Sequence, residues 1–429
     1  MGGLFYHTQN FLPTDPLQHG HAFCFHGAAG RGLRRHPATQ LYPGGVLIEE
    51  PYYQHERAVE STLKAMQDPE VKSIYEAAFM FDGVRIRVDI LERAQNETWN
   101  LVEVKSSTSV KEVYYPDVAV QHYVLEGCGL KIGRAGILHI NNQYVYDGQN
   151  LNLDSLFSFD DLTELSTPMQ PEIPGRLDKL KAMLAADGAP VVQPSKHCHK
   201  PYDCEFWDHC TRDMPEFWVY EINSIGQEKL EELSGMGIQD IGDIPEAFPL
   251  SQIQDRIRVS VTNQQEFISD QLEAELNDME SPIHFLDFET IGLAIPRYAD
   301  TRPYQTIPFQ WSDHILLKDG KLDHREYLCI EDKDPREEFT RSLLDAVGTW
   351  GSIVIYTSYE TGVLKSLIEH FPQYADELQA VIDRFVGKPY AGQGEGQKGY
   401  DCSEFVGAVY QEYASIHLPR TTDKLWKTG

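Results

Sequence analysis

Early in the chain the hydrophobic period changes several times in quick succession. ERAVESTLKAM, from Glu56 to Met66, repeats its apolar positions every three to four residues, which predicts an amphipathic helix. EAAFMFDGVRIRVDILER then alternates every second residue, the pattern of a hairpin with Asp82-Gly83 at its turn. WNLVEVKSS reads as a third strand and PDVAVQHYVLEGCGL as a helix, while KIGRAGILHINNQYVYDG predicts a strand pair turning at Asp147-Gly148. Helix, three strands, helix and strand in that order predict an α/β unit.

Residues 1–40 are rich in His, Gly and Pro, show no period, and read as irregular. One helix, GRLDKLKAMLAA, sits between proline-bearing connections, and a cysteine-bearing segment follows it. INSIGQEKLEELSGMGIQDIGDIPEAF, from Ile222 to Phe248, reads as two short helices around a glycine turn. That is a helix-hairpin-helix-like pattern, which an ordinary helical linker also shows. A second α/β unit opens with IHFLDFETIGL and continues through FQWSDHILLK, HREYLCI and GSIVIYTS. No internal repeat interrupts this order.

With 429 residues and 41% hydrophobic content, the chain can build the cores of two or three domains. It holds no run of 18 apolar residues, and the opening MGGLFYHTQNFLPTDPL lacks a basic n-region and an apolar h-region. The expectation is a cytoplasmic protein with no membrane partner. Lys and Arg total 37 against 66 Asp and Glu, a formal charge of -29, which opposes non-specific attraction to a polyanion. A general nucleic-acid coat is thereby disfavoured, whereas a nuclease with acidic metal ligands and a local basic groove is not.

Chemistry enters at Asp89 in RVDIL and Glu103 in VEVK, two acids inside otherwise apolar strands, where an unpaired carboxylate is expensive to bury. Glu103 and Lys105 are two apart and project from one strand face, placing a metal ligand beside an ammonium. Phosphodiester hydrolysis needs such a set: carboxylates to hold Mg²⁺ or Mn²⁺, and a cation to orient water or steady the phosphate. Spacing alone also allows a surface strand with an ordinary Glu–Lys pair.

These residues, with SS after the lysine and Gln121 on the next helix, resemble the RecB-like branch of the PD-(D/E)xK nucleases, including the CRISPR-associated exonucleases. LYPGGVLIEE, IYEAAF, RIRVDIL, LVEVKSSTSVKE and DVAVQHYVL further resemble bacterial proteins of the domain of unknown function 2779 family, over residues 41–386. The resemblance implies Asp89 and Glu103 as metal ligands, Lys105 as the catalytic lysine and Gln121 as a helix-borne site residue. Relatives place Tyr four residues after this Gln; here position 125 is Leu and the nearest tyrosine is Tyr123.

HCHKPYDCEFWDHC spaces Cys198, Cys204 and Cys210 as C-x5-C-x5-C. Seven cysteines are too few for a disulfide scaffold, and three thiolates this close fit three corners of a zinc or iron-sulfur site. The resemblance implies a 4Fe-4S cluster with one upstream cysteine, for which Cys24 is the candidate; His197, His199 and His209 are the substitutes for Zn²⁺. Unligated thiols remain the alternative.

HFLDFET sets Asp287 and Glu289 two apart on one strand face, as the first motif of a two-metal, DnaQ-like exonuclease requires. The longer match LDFETIGLAIPRYADTRPYQTIPFQWSDHI resembles the 2779 family domain, and Glu360 in YTSYE is the candidate second motif. After DRFVG the text changes: KPYAGQGEGQKGYDCSEFVGAVYQEYASIHLPRTT resembles the start of an NlpC-type cell-wall peptidase, which implies Cys402 as nucleophile. The base that family places downstream has no counterpart here, His417 not corresponding to it, so a fused reading frame with an inactive peptidase part is expected.

The resulting expectation is an α/β chain. An irregular segment spans 1–40, a restriction-endonuclease-like PD-(D/E)xK core with the helical cysteine cluster 41–215, and a helical linker 216–280. A partial ribonuclease H-like unit spans 281–386, and the peptidase-like piece 387–429. The expected function is metal-dependent DNA hydrolysis in repair or defence against mobile elements. A cysteine peptidase and a non-catalytic nucleic-acid-binding remnant are the alternatives.

Overall fold

The computed structural model of the chain describes residues 40–267, 276–355 and 357–386. Cys24, Cys402, His417 and the peptidase-like segment lie outside the described residues. The chain divides into two compact units. Described residues of the first are 40–190 with Ile291–Thr306; those of the second are 191–267, 276–290, 307–355 and 357–386. Both are mixed α/β.

In the first unit, six strands lie side by side in chain order: β1 (Gly45–Leu47), β2 (Ser73–Phe81), β3 (Val84–Arg93), β4 (Thr98–Val104), β5 (Lys131–Ile140) and β6 (Phe157–Asp161). The β2–β3 and β3–β4 pairs are antiparallel, β4–β5 is parallel and β6 returns antiparallel to β5. The hairpin turn falls at Asp82-Gly83, where φ is 49° and 74°, the left-handed pair that two-residue turns demand. Helix α1 (His55–Gln67) packs on β2, and α2 (Tyr115–Gly127), with proline in its first turn, packs on β2 and β5. Helix α3 (Ile173–Leu184) buries Ile173 and Leu177 against α2.

Both sheet faces are covered. Ile74, Phe79, Leu91, Leu101 and Ile137 meet Val118, Val124 and Leu125 of α2 on one side. Tyr75, Ile90, Val102, Leu138 and Ile140 gather on the other with Leu156 and Phe157, against which Ala294, Ile295 and Tyr304 pack. Two-sided burial explains why the end of β4, Leu101 to Val104, is apolar apart from Glu103.

One element differs from expectation. The strand pair predicted across 131–148 is a single strand, β5, whose antiparallel partner is β6; Tyr146 instead bridges Thr301. Alternation in QYVYDG suggested a return strand, but Asn141 is bonded to Leu156, and that contact starts the turn toward β6 instead.

The second unit holds a five-stranded sheet. Its strands are β7 (Ile283–Gly292), β8 (Thr306–Leu316), β9 (Leu322–Leu328), β10 (Ser352–Val354) and β11 (Phe385–Val386), in the order β11-β10-β7-β8-β9. Leu286, Phe288 and Trp311 pack on Phe339 and Leu343 of one helix (Arg336–Val347), and on Val363, Leu364 and Leu367 of the next (Tyr359–His370).

Before that sheet, helices α4 (Gln227–Gly235) and α5 (Gln252–Asn263) share a small core of Val219, Ile222, Leu233, Ile241 and Phe248. The expected second helix of the pair is a single 3-10 turn at Ile241–Asp243; α5 begins later, where Ser251 and Gln254 form a capping box. In chain order the helices after α5 are α6 (Arg336–Val347), α7 (Tyr359–His370) and α8 (Ala375–Asp383).

Candidate functional site

The register Ile90↔Val102 puts Asp89 and Glu103 at the next step of the same antiparallel ladder, and directly opposed residues share a face. Leu91 and Leu101, two positions back, both lie in the core on the α2 side, so the acids point toward α2. Both are buried, at 5% and 1% exposure. Asp89 Oδ2 accepts the Val104 N–H at 2.8 Å, which fixes its carboxylate against the end of β4.

Opposite Asp89 the backbone departs from a regular strand. Glu76 lies between the pairs Tyr75↔Ile90 and Ala77↔Val88 and has φ 57°, a left-handed conformation strained for a residue with a Cβ. Arg87 holds this bend by donating to the carbonyls of Glu76 and Glu50, at 3.3 and 2.7 Å.

Lys105 lies just beyond β4. Its ammonium donates to Glu103 Oε1 at 2.7 Å and to Asp117 Oδ2 at 2.8 Å, with the Tyr114 ring 5.3 Å away. Gln121 Nε2 donates to Glu103 Oε2 at 2.9 Å and to Asp117 Oδ1 at 3.3 Å. Burial pulls the Lys105 ammonium toward neutrality, but the charges and hydrogen bonds of Glu103 and Asp117 outweigh it and hold the group well above the usual lysine range. It is therefore a fixed cation.

Glu103, Lys105 and Gln121 thus share one network, with Asp89 beside it. Asp117 was not anticipated; its spacing of four from Gln121 puts both on one helix face, and that spacing was the available signal. Tyr123 lies elsewhere, its hydroxyl on Asp82.

Two carboxylates share the one ammonium and Asp89 stands on the neighbouring strand, a formal excess of negative charge. Asp89 and Glu103 offer the hard oxygen donors that Mg²⁺ and Mn²⁺ prefer, and Mg²⁺ is commonly held by one or two carboxylates with water and phosphate completing its shell. Gln121 Oε1, buried and without a hydrogen-bond partner, is an acceptor that a bound water would satisfy. The donor set fits such an ion. Among the described residues no group of three or more His, Cys, Asp or Glu is gathered to hold a metal on protein ligands alone.

The same holds for the cysteine segment. Cys198 is buried, Cys204 and Cys210 are half-buried, and all three are free thiols that are not gathered into a metal-binding group. Cys204 N–H donates to Cys198 O at 2.7 Å, and Cys198 Sγ lies 3.4 Å from His197 Nε2. His199 pairs with Asp203 and packs on Trp207, while His209 contacts Arg212. An aromatic cluster organises this region: Trp218 stacks on Tyr220 at 4.8 Å, and Trp207 packs on both. Cys24, the expected fourth ligand, lies outside the described residues.

In the second unit Asp287 and Glu289 project from the face of β7 opposite the buried Leu286 and Phe288, and both are exposed. Partial burial still raises both carboxyls, and Asp287 raises Glu289 further. Glu360, in the first turn of α7, is buried with Oε2 lacking a partner. Burial, with the Asp287 charge adding to it, pushes its carboxyl up to about 7. On the core face His284 Nδ1 meets Asp313 Oδ2 at 2.8 Å, a buried pair that sequence reasoning missed because each residue alone looks unremarkable in its strand.

No helix among the described residues is long and apolar enough to cross a membrane. Comparison with curated proteins and with solved structures finds no match. One family model does match, a domain of unknown function (DUF2779), over residues 284–387, the stretch that contains β7 to β11 together with Asp287, Glu289 and Glu360. Residues 284–387 of this chain are a domain of the DUF2779 family.

Proposed function

We propose that the first unit is a PD-(D/E)xK-type, metal-dependent phosphodiesterase acting on DNA. The observation that carries this reading is Lys105, held 2.7 Å from the nearly inaccessible Glu103 and 2.8 Å from Asp117, with Asp89 on the neighbouring strand. A surface Glu–Lys pair would not be buried, shared with a second acid and tied to a helix glutamine.

Asp89 and Glu103 would hold Mg²⁺ or Mn²⁺, which when bound supplies a water that is nucleophilic near neutral pH and neutralises charge building on the phosphate. Lys105, permanently charged, steadies the developing negative charge, which is worth most in a site closed to bulk water. Asp117 and Gln121 keep Lys105 and Glu103 in place. The overall charge of -29 opposes general DNA attraction, so substrate binding falls to this local cation and the metal.

Asp287 and Glu289 on one face of β7, with the buried Glu360 in the first turn of α7, would be the acidic residues of a second, exonuclease-type centre in the DUF2779 domain. The test is cleavage of single-stranded and duplex DNA with Mn²⁺, comparing wild type, Glu103→Gln, Lys105→Met and Asp287→Asn. Equal rates in wild type, Glu103→Gln and Lys105→Met would reject the assignment to the first unit. Loss confined to Asp287→Asn would move the chemistry to the second.

A further inference from the structure

Residues Ile291–Thr306 fall, in the chain, where β7 gives way to β8, yet they belong to the first unit. They are docked there at several points. Tyr146 and Thr301 form a β-bridge, the Asp300 N–H donates to Tyr146 O at 2.8 Å, and Thr301 is fully buried. Ala294, Ile295 and Tyr304 pack on the sheet face formed by Tyr75, Ile90 and Leu138. At the end of this strap the Tyr304 hydroxyl donates to the carbonyl of Ser106, the residue after Lys105.

That carbonyl sits just past the point where the chain loses one of its two strand neighbours. Pairing between β3 and β4 ends at Ile90↔Val102, so beyond Val104 the chain is bonded to β5 on one side only, through Lys105 N–H to Leu138 O and Ile140 N–H to Ser107 O. Tyr304 supplies the missing restraint from the strap. Burial raises its hydroxyl, the Ser106 bond lowers it and Tyr114 raises it again, with a net upward shift, so it stays protonated and donating across the neutral range. Tyr114, the ring beside the Lys105 ammonium, lies in the same unit.

We infer that Tyr304 is a positioning residue of the first unit's site, and that its hydrogen bond to Ser106 sets where Lys105 presents its ammonium. The inference rests on the reading of Lys105 as catalytic. It also assigns part of the DUF2779 segment a task in a site that the segment does not itself contain.

The experiment uses the full chain as wild type, Tyr304→Phe and Ile295→Ala, with two readouts. Amide hydrogen exchange is compared between residues 103–109 and the interior of β3, and DNA cleavage with Mn²⁺ is resolved into kcat and KM. Tyr304→Phe removes one hydrogen bond, so exchange over 103–109 should quicken about fivefold while β3 is unchanged. Its kcat should fall by a similar factor at constant KM. Ile295→Ala trims strap packing but keeps the hydroxyl, and should lower Tm without selective exchange or loss of kcat.

Unchanged exchange over 103–109 in Tyr304→Phe overturns the inference, as does selective exchange with kcat intact. An inert wild type sinks the nuclease reading of the unit, and the exchange result then still decides whether Tyr304 holds the Lys105 segment.

Discussion

The Val104 amide donates to Asp89 Oδ2 at 2.8 Å, so one carboxylate both closes the end of β4 and faces the site. The two tasks separate on substitution. Asp89→Asn keeps an oxygen acceptor for the amide and loses only the charge; stability should stay within about 1 kcal/mol while Mn²⁺-dependent cleavage falls about a hundredfold or more. Asp89→Ala strands a buried N–H as well and should cost about 1–3 kcal/mol. Urea unfolding alongside a cleavage assay distinguishes the two. Full activity in Asp89→Asn would remove Asp89 from the metal.

Lys105 should show its value to the fold only at high pH. Its folded-state pKa lies above the unfolded value of about 10.4, so its stabilisation is complete below that pH and is lost as pH rises through the folded value. Between pH 6 and 9 it therefore adds no slope. Lys105→Met leaves the buried Glu103 without its counter-charge and should cost roughly 1–3 kcal/mol, while Glu103→Gln with Lys105→Met should recover part of that without restoring activity. A double-mutant cycle by chemical denaturation measures the coupling. Additive losses would mean that the pair carries no interaction.

The hairpin at Asp82-Gly83, α1, α2 and the apolar strands were legible in sequence because their signals are local: a period, a turn dipeptide, a proline at a helix start. Glu103 and Lys105 were legible because a two-residue spacing shares a strand face in any sheet. Asp117 left only its four-residue spacing from Gln121 as a signal, because its bond to Lys105 depends on how α2 docks, and Tyr304 left none, since it bonds Ser106 from 198 residues away in the chain. Beside the cysteines, Trp207, Trp218 and Tyr220 pack on one another, a cluster that the thiol spacing alone does not reveal.

Gly136 should tolerate no side chain, although alanine is ordinarily the better strand residue. It lies in β5 between β4 and β6, and a Cβ there would come 2.2 Å from Asp160 O and 2.6 Å from the Phe159 ring. The backbone carbonyl cannot swing aside without breaking the β5–β6 ladder, so Gly136→Ala should destabilise the first unit by about 1–3 kcal/mol. Gly188→Ala, with open space around it, is the matched control. Equal unfolding midpoints for the two variants would show that β6 yields freely.

Glu360 reverses the usual direction for a carboxylate. Burial and the nearby Asp287 charge push it up to about 7, so the folded second unit binds a proton more tightly than the unfolded chain does. Between the ordinary glutamate value of about 4.3 and pH 7 the native state holds the extra proton, and stability must fall as pH rises through that window, then level off. Glu360→Gln, neutral throughout, should abolish the slope and gain roughly 2–3 kcal/mol over wild type at pH 8, with little difference near pH 4. Hydrogen exchange of α6 in urea and a chelator, at pH values from 4.5 to 8, reports this unit because Phe339 and Leu343 anchor its core. Parallel stability curves for the two proteins over this range would mean that the Glu360 carboxyl is solvated and ionises freely, which would leave the second acidic centre without its buried member.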